Sequence, residues 1–336
     1  MIAVTGGTGL VGSHLLLKLC EKGYSVRCIT RNIKNIDTVK KIFLLYNSNN
    51  LDLFNRINWI ECDIMDYMGL KEFLDGADYL YNCAGAVSFS PREKDNTINI
   101  NINGTKNIIN ASLECGIKKM CHVSSVAALG YSDDNNLINE NYIWTSDQKD
   151  SIYSLSKFHG EMEVWRGMEE GLNAVIVNPS IIVGPGDWNS SSCVFFPLIK
   201  NGFRFYPPGS FGFVDVRDVA EIMIKLMESD ITNERFVINS ENITYKEFFD
   251  MIANAFQVKS PNILVPKFLA STAVKLNYLY SLFTSKKQQL TKETINSAFS
   301  NSAYSSDKVK RMLNYSFIPI KDTIKHTATF YNMWKE

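Results

Sequence analysis

Along its first 180 residues the chain alternates short apolar runs with longer stretches in which apolar positions recur every three or four residues. The short runs IAVTG (2–6), SVRCITR (25–31), INWIECD (57–63), DYLYNCAG (78–85), KMCHVSS (119–125) and NAVIVNP (173–179) predict six strands. The stretches 13–23, 67–76, 102–116 and 151–171 predict helices, the first three ending at Gly23, Gly76 and Gly116. Strands alternating with helices of this length predict βαβ units and a parallel sheet. After Pro179 the rhythm changes. Residues 184–213 are rich in Gly, Pro, Ser and Phe and predict loops around a cleft. A helix follows over 216–229 and a strand over 235–239, and from about Thr244 the pattern is mostly helical. The expected architecture is α/β: a doubly wound parallel sheet from residues 1–180, with 214–240 returning to it. A smaller, mostly helical substrate-binding part is expected from 181–213 and 241–336.

Composition narrows the function classes. The chain has 336 residues, 45% of them hydrophobic, which is ample for a core. Lys+Arg and Asp+Glu both number 35, so nothing points to nucleic acid or an anionic membrane as the main partner. The seven cysteines lack paired spacing and read as reduced, small hydrophobes of a cytoplasmic protein. His14, His122, His159 and His326 are too dispersed to make a metal motif, so no metal is expected. No signal peptide and no membrane span are expected, and FLASTAVKLNYLYSLF (268–283), interrupted by Lys275 and Asn277, reads as an amphipathic helix packed on the core. The sequon at Asn103 is treated as chance.

The first chemistry-bearing segment is Thr5-Gly-Gly-Thr-Gly-Leu-Val-Gly12, which follows a strand and opens a helix. That context makes it a phosphate loop of the Rossmann type, with Gly6, Thr8, Gly9, Leu10, Val11 and Gly12 around a dinucleotide pyrophosphate. Arg31 ends the second strand, where a site for NAD usually carries Asp or Glu. A guanidinium there, with Lys34 close by, suits a 2′-phosphate, so NADP(H) is the expected cofactor. Asp63, with Ile64 after it, stands where a side chain reaches the adenine amine, or else caps a helix. Cys83-Ala84-Gly85 ends the fourth predicted strand, and Pro179 the sixth.

Tyr153 and Lys157 form a Tyr-x-x-x-Lys pair, a pattern that recurs at Tyr67/Lys71, Tyr304/Lys308 and Tyr331/Lys335. Context selects the first. It lies on the helix after the fifth strand, whose end is Ser124-Ser125, and residues four apart share a helix face. The other three copies read as surface residues.

Taken in order, TGGTGLVG, the CDIMD step, NCAGAVSF, NINGTKNIINA, HVSSVAALG, YSLSK, NPSIIVGPGD and FVDVRDVA resemble the extended short-chain dehydrogenase/reductases over about residues 1–240. Within them the chain is similar to the branch of dihydroflavonol-4-reductase-like and 3β-hydroxysteroid-dehydrogenase-like enzymes, often labelled NAD-dependent epimerase/dehydratase. The resemblance implies that Tyr153 is the general acid for a carbonyl and that Lys157 lowers the tyrosine pKa and bonds the nicotinamide ribose. Ser125 would polarise the carbonyl, preferred over Ser124 because it stands five residues before Gly130. It also implies that Asn101 steadies the site and that Ser124, Cys83 to Gly85 and Pro179 line the cofactor. Helices 102–116 and 151–171 would pair across a two-fold axis in a homodimer.

Val87 and Phe89 in the loop 86–92, segment 126–131, Asp187-Trp188 and Phe211 are expected around an apolar or ring-bearing carbonyl or alcohol substrate, with core packing as the plain alternative. Three departures matter. Gly212 stands where similar nucleotide-sugar epimerases carry an arginine, Val126-Ala127 where sugar dehydratases carry Asp-Glu, and Gly130 where flavonoid reductases carry a hydrogen-bonding residue. The expected activity is therefore carbonyl reduction or alcohol oxidation by hydride transfer. The alternatives are a nucleotide-sugar epimerase, a 3β-hydroxysteroid-type dehydrogenase/isomerase and a non-catalytic NADP(H) sensor.

Overall fold

A computed structural model describes residues 1–130, 137–142, 144, 151–270, 272, 274 and 291–335. Its centre is a sheet of seven strands: β1 (Ile2–Thr5), β2 (Val26–Thr30), β3 (Asn58–Glu61), β4 (Tyr79–Asn82), β5 (Lys119–Val123), β6 (Ala174–Pro179) and, at one edge, a strand from much later in the chain. Residues 181–244 supply β7 (Ile181–Val183), β8 (Ser210–Asp215), β9 (Glu234–Ile238) and β10 (Glu241–Thr244). The large sheet runs β9-β6-β5-β4-β1-β2-β3 with every neighbour parallel. The order reverses between β1 and β4, the place where open α/β sheets form a ligand crevice beyond their carboxyl ends.

Alternation along the strands puts consecutive residues on opposite faces. Val4, Cys121 and Val175 face one core with Leu15, Leu19 and Met223, whereas Ala3, Met120 and Ile176 face the other with Leu70, Ile109 and Val164. The first core lies under α1 (Leu10–Glu21), α2 (Ile36–Tyr46) and a later helix over Val216–Glu228. The second lies under α3 (Tyr67–Leu74), α4 (Thr105–Glu114) and α5 (Ile152–Glu169). The chain then forms α6, the Val216–Glu228 helix, followed by α7 (Tyr245–Phe256) and α8 (Ile320–Lys335). A third, aromatic core with Phe196, Phe213, Phe248 and Tyr331 joins β8, α7 and α8. Here β8 pairs parallel with β7 and antiparallel with β10 in a separate three-stranded sheet.

Several expected boundaries move. The first helix starts at Leu10 rather than residue 13, because Gly9 is its extended N-cap and the glycine loop runs straight into the first turn. The connection from β2 to β3, for which the apolar pattern predicts no element, holds α2 and a short helix over Leu51–Asn55; Val39, Ile42 and Phe43 form the buried stripe of α2. The helix expected over 102–116 is preceded by Lys94–Ile98 and by a π-helical stretch, Asn99–Gly104. The amphipathic segment 268–283 and Tyr131 lie wholly or mostly outside the described residues. Among the described residues no helix is long and apolar enough to cross a membrane, and no cluster of His, Cys, Asp and Glu could hold a metal ion.

Candidate active site

The glycine loop leaves β1 through Gly6, whose φ of +67° suits a residue without a side chain. Gly9 N donates to Gly6 O at 3.0 Å and closes the turn. A Cβ at Gly12 would collide with Gly6 O and lie 2.7 Å from Gly7 Cα, so only glycine lets α1 start this close to the loop. No side chain caps α1. Its first N–H groups, at Leu10, Val11 and Gly12, with Thr8 in the loop before them, therefore form a cradle suited to an anion. The donor set fits a pyrophosphate.

Arg31 and Lys34 are exposed just beyond β2, and neither side chain makes an ion pair or hydrogen bond among the described residues. Asp63 Oδ1 accepts from Met65 N at 2.9 Å in a local turn. The helix cap belongs instead to Asp66, which accepts from Gly69 N at 3.1 Å, so the capping alternative for Asp63 is replaced by its neighbour. Ile64 is buried against Gly104, and its carbonyl accepts from Asn107 Nδ2 at 3.1 Å. Beyond β4, Ala84 N donates to Asn82 Oδ1 at 3.2 Å, and burial pushes the Cys83 thiol up to about 12, away from nucleophilic chemistry.

Ser151 starts α5 by accepting from Ser154 N at 2.9 Å. That cap fixes the helix two residues before Tyr153, so Tyr153 and Lys157 share its inner face. Lys157 is buried and donates to Val123 O, at the end of β5, at 3.0 Å. Burial lowers its pKa from 10.5 to about 8, with the Glu161 charge acting upward. Tyr153 is half-buried and meets the Phe89 ring edge-on, with centroids 5.2 Å apart.

Ser125 directly follows the buried Ser124 and caps a 3₁₀ turn over Val126–Leu129, its Oγ accepting from Ala127 N at 3.1 Å. Its hydroxyl hydrogen has no acceptor among the described residues. Asn101 sits in the π-helical stretch with its amide fully used. Oδ1 accepts from Ala86 N at 2.8 Å, while Nδ2 donates to Ala86 O at 2.9 Å and to Ser156 Oγ at 2.9 Å. An ideal Cβ on Gly85 would lie 3.4 Å from Asn101 Oδ1 and 3.6 Å from Lys157 Nζ. The loop after β4, Asn101 and Lys157 thus meet at one point. Asn178, just before the buried Pro179, donates from Nδ2 to Ser125 O at 3.0 Å.

The expected substrate residues divide. Val87 is 59% exposed and Phe89 lies against Tyr153. Asp187 is exposed and closes a turn by accepting from Asn189 N at 3.0 Å. Trp188 and Phe211 are core side chains. Trp188 packs edge-on against Tyr331 at 4.9 Å, and Phe211 lies 5.3 Å from Tyr304. The other Tyr-x-x-x-Lys copies need correction too. Tyr304 and Tyr331 are buried in the aromatic core rather than at the surface. Tyr67 and Lys71 both bind Glu114.

Sequence reasoning missed a buried polar layer at the strand ends. Thr5 Oγ1 donates to Asn82 Oδ1 at 2.7 Å, and Asn82 Nδ2 lies 2.9 Å from His122 Nδ1. His122 is held neutral by burial, well below its ordinary pKa. Glu161, Asn178 and Ser156 complete this layer. The available signal was a lone polar residue near the end of an apolar strand, as in YNC, CHV and VNP.

The family model for the NAD dependent epimerase/dehydratase family matches residues 2–239. A putative dihydroflavonol 4-reductase of Synechocystis is 28% identical over 275 residues, covering 80% of this chain and 76% of that one. Cinnamoyl-CoA reductase 1 of Arabidopsis thaliana is 26% identical over 310 residues, covering 86% of both. The crystal structure of gox2253 superposes with a TM-score of 0.81 at 27% identity, covering 99% of this chain and 98% of that one. With a Rossmann-type sheet, a glycine loop and these relatives, the chain is an NAD(P)-dependent oxidoreductase and belongs to the NAD dependent epimerase/dehydratase family, within the extended short-chain dehydrogenase/reductases.

Proposed function

We propose that the protein reduces a carbonyl compound with NADP(H), or oxidises the matching alcohol, through Ser125, Tyr153 and Lys157. The observation that carries this reading is the meeting of the loop after β4, Asn101 and Lys157 at Gly85, beside the Tyr153–Phe89 contact. The bound nicotinamide supplies or accepts the hydride. The Lys157 ammonium, one helical turn from Tyr153, would favour the tyrosinate left when the phenol gives up its proton. Tyr153 gives its phenolic proton to the substrate oxygen. Ser125 Oγ, already accepting from Ala127 N, keeps its own hydrogen for the same oxygen and withdraws charge from it. Asn101 steadies the wall of the site by holding Ala86 through both its N–H and its carbonyl.

The loop 6–12 would hold the pyrophosphate, and Arg31 with Lys34 the 2′-phosphate; a carboxylate at residue 31 would repel that group. Asp63 Oδ2 makes no hydrogen bond among the described residues, leaving it for the adenine amine. Val87 and Phe89 favour an apolar or aromatic substrate. An epimerase acting on nucleotide sugars is disfavoured by Gly212, because any side chain there would collide with Asn239 and approach Tyr304 Cδ2 to 2.9 Å. The diphosphate-binding arginine of such enzymes has no room at this position.

The test is a panel of aldehydes and ketones followed through NADPH absorbance. Tyr153→Phe should lower kcat by about 10²- to 10⁴-fold on any substrate found, with NADPH binding retained. Full turnover by this variant would end the proposal, and tight binding of UDP would favour the epimerase reading.

A further inference from the structure

Glu161 lies one helical turn beyond Lys157 on α5 and is 2% exposed. Its Oε2 accepts from Ser124 Oγ at 2.6 Å and from Asn178 Nδ2 at 2.7 Å. Its Oε1 accepts from Trp165 Nε1 at 3.3 Å and from Arg235 Nη1 at 3.2 Å. Four donors, from the ends of β5 and β6, from α5 and from β9, converge on one carboxylate. A buried carboxylate is tolerated only when paired and hydrogen-bonded, and this one is both. Only a carboxylate offers acceptors to all four, since a glutamine would turn its own N–H donors toward two of them.

Its donors stand on both sides of the proposed reacting hydroxyl. Ser124 is the residue before Ser125, and Asn178 Nδ2 also donates to Ser125 O. Titratable groups surround Lys157 from each element packed on it: Glu161 and Tyr153 on its own helix, Cys83 beyond β4 and His122 on β5. The Cys83 thiol is held protonated and the His122 ring neutral by burial. Glu161 is thus the negative charge that acts on the ammonium.

We propose that Glu161 is a positioning residue of the active site. It anchors Ser124 and Asn178 so that Ser125 keeps its orientation, and its charge keeps Lys157 an ammonium. Burial alone drives Lys157 toward the free amine, and Glu161 opposes that drift. Arg235, which also grips Glu140 O and Tyr142 O, pins the carboxylate from the edge strand. The inference rests on the reductase reading and adds a residue to its machinery.

The experiment compares pH profiles of kcat/KM for wild type, Glu161→Asp and Glu161→Gln in the reduction direction. Losing the negative charge lowers the lysine pKa, so the alkaline limb of Glu161→Gln should move down by about half a unit or more, a loss of roughly three-fold near the limb. Glu161→Asp keeps the charge and should keep the limb. Coincident limbs for wild type and Glu161→Gln would overturn the proposal, as would equal impairment of both variants at every pH. If Glu161→Gln does not fold, the double variant Glu161→Gln/Arg235→Met is compared with Arg235→Met alone, and the alkaline limb should lie lower in the double variant, because the two then differ only in the Glu161 charge. In parallel, the pH dependence of Lys157 acylation by a small reagent, read by peptide mass, reports the same shift without turnover. A wild-type protein inactive on every carbonyl would sink the reductase reading, while this labelling comparison would still decide the role of Glu161.

Discussion

Arg31 can be replaced without disturbing the packing around it, because it is exposed and makes no ion pair among the described residues. Its effect should therefore appear in cofactor choice alone. Arg31→Glu should raise the KM for NADPH by about ten-fold or more, as a clamp on the 2′-phosphate becomes a repulsion, and leave NADH little affected. Steady-state kinetics with both cofactors checks this, and an unchanged NADPH/NADH ratio refutes the role given to Arg31. At this scale the sequence was most informative where a side chain's job depends on local spacing. Tyr153 and Lys157 could be chosen over three rival pairs because helix geometry and the preceding strand fix their neighbours. Glu161 and Asn178 could not be chosen, because their partners arrive from Ser124 and Arg235, distant in sequence and brought near only by strand order.

At the level of elements, the junction of β1, the glycine loop and α1 works as one unit. Any side chain at Gly12 must displace Gly6 O or Gly7 Cα. Gly12→Val should abolish dinucleotide binding in a fluorescence titration with NADPH while the protein still unfolds cooperatively. Binding at wild-type affinity would show that the loop does not serve the pyrophosphate. The strands of the large sheet were legible because they are short apolar runs between turn residues. The helix α2 was not, since only Val39, Ile42 and Phe43 are fully buried on it and its remaining surface is mixed. Trp188 and Phe211 show a related limit. Aromatic residues near a glycine-rich stretch suit a binding cleft and a core equally well, and only the partners Tyr331 and Tyr304 distinguish the two.

For the molecule as a whole, acid sensitivity should come from buried histidines. Burial lowers His14 to about 4 and His326 to about 4, from 6.5. The unfolded chain then takes up protons below pH 6.5 that the folded chain refuses until about pH 4. The stability these groups contribute is full above pH 6.5 and is lost as pH falls toward 4, about 3 kcal/mol for His14. Asp218, raised to about 6 mainly by burial, acts in the opposite sense between pH 6 and its ordinary range and offsets part of the loss. Urea denaturation should thus give lower stability at pH 5 than at pH 7, and His326→Gln should narrow the gap. Equal stability at both values would contradict this assignment.

The edge strand β9 reaches the large sheet only after the chain has left it for more than fifty residues. During synthesis, the AVIVNP segment of β6 must therefore wait with an unpaired row of N–H and C=O groups, a template for pairing with another nascent chain. The first 180 residues carry the glycine loop, the serine and the phenol, yet they make a sheet whose flank is finished only when Arg235 and its neighbours emerge. Recombination that grafts this half onto a foreign partner must bring residues 234–238 along, or inherit an adhesive border.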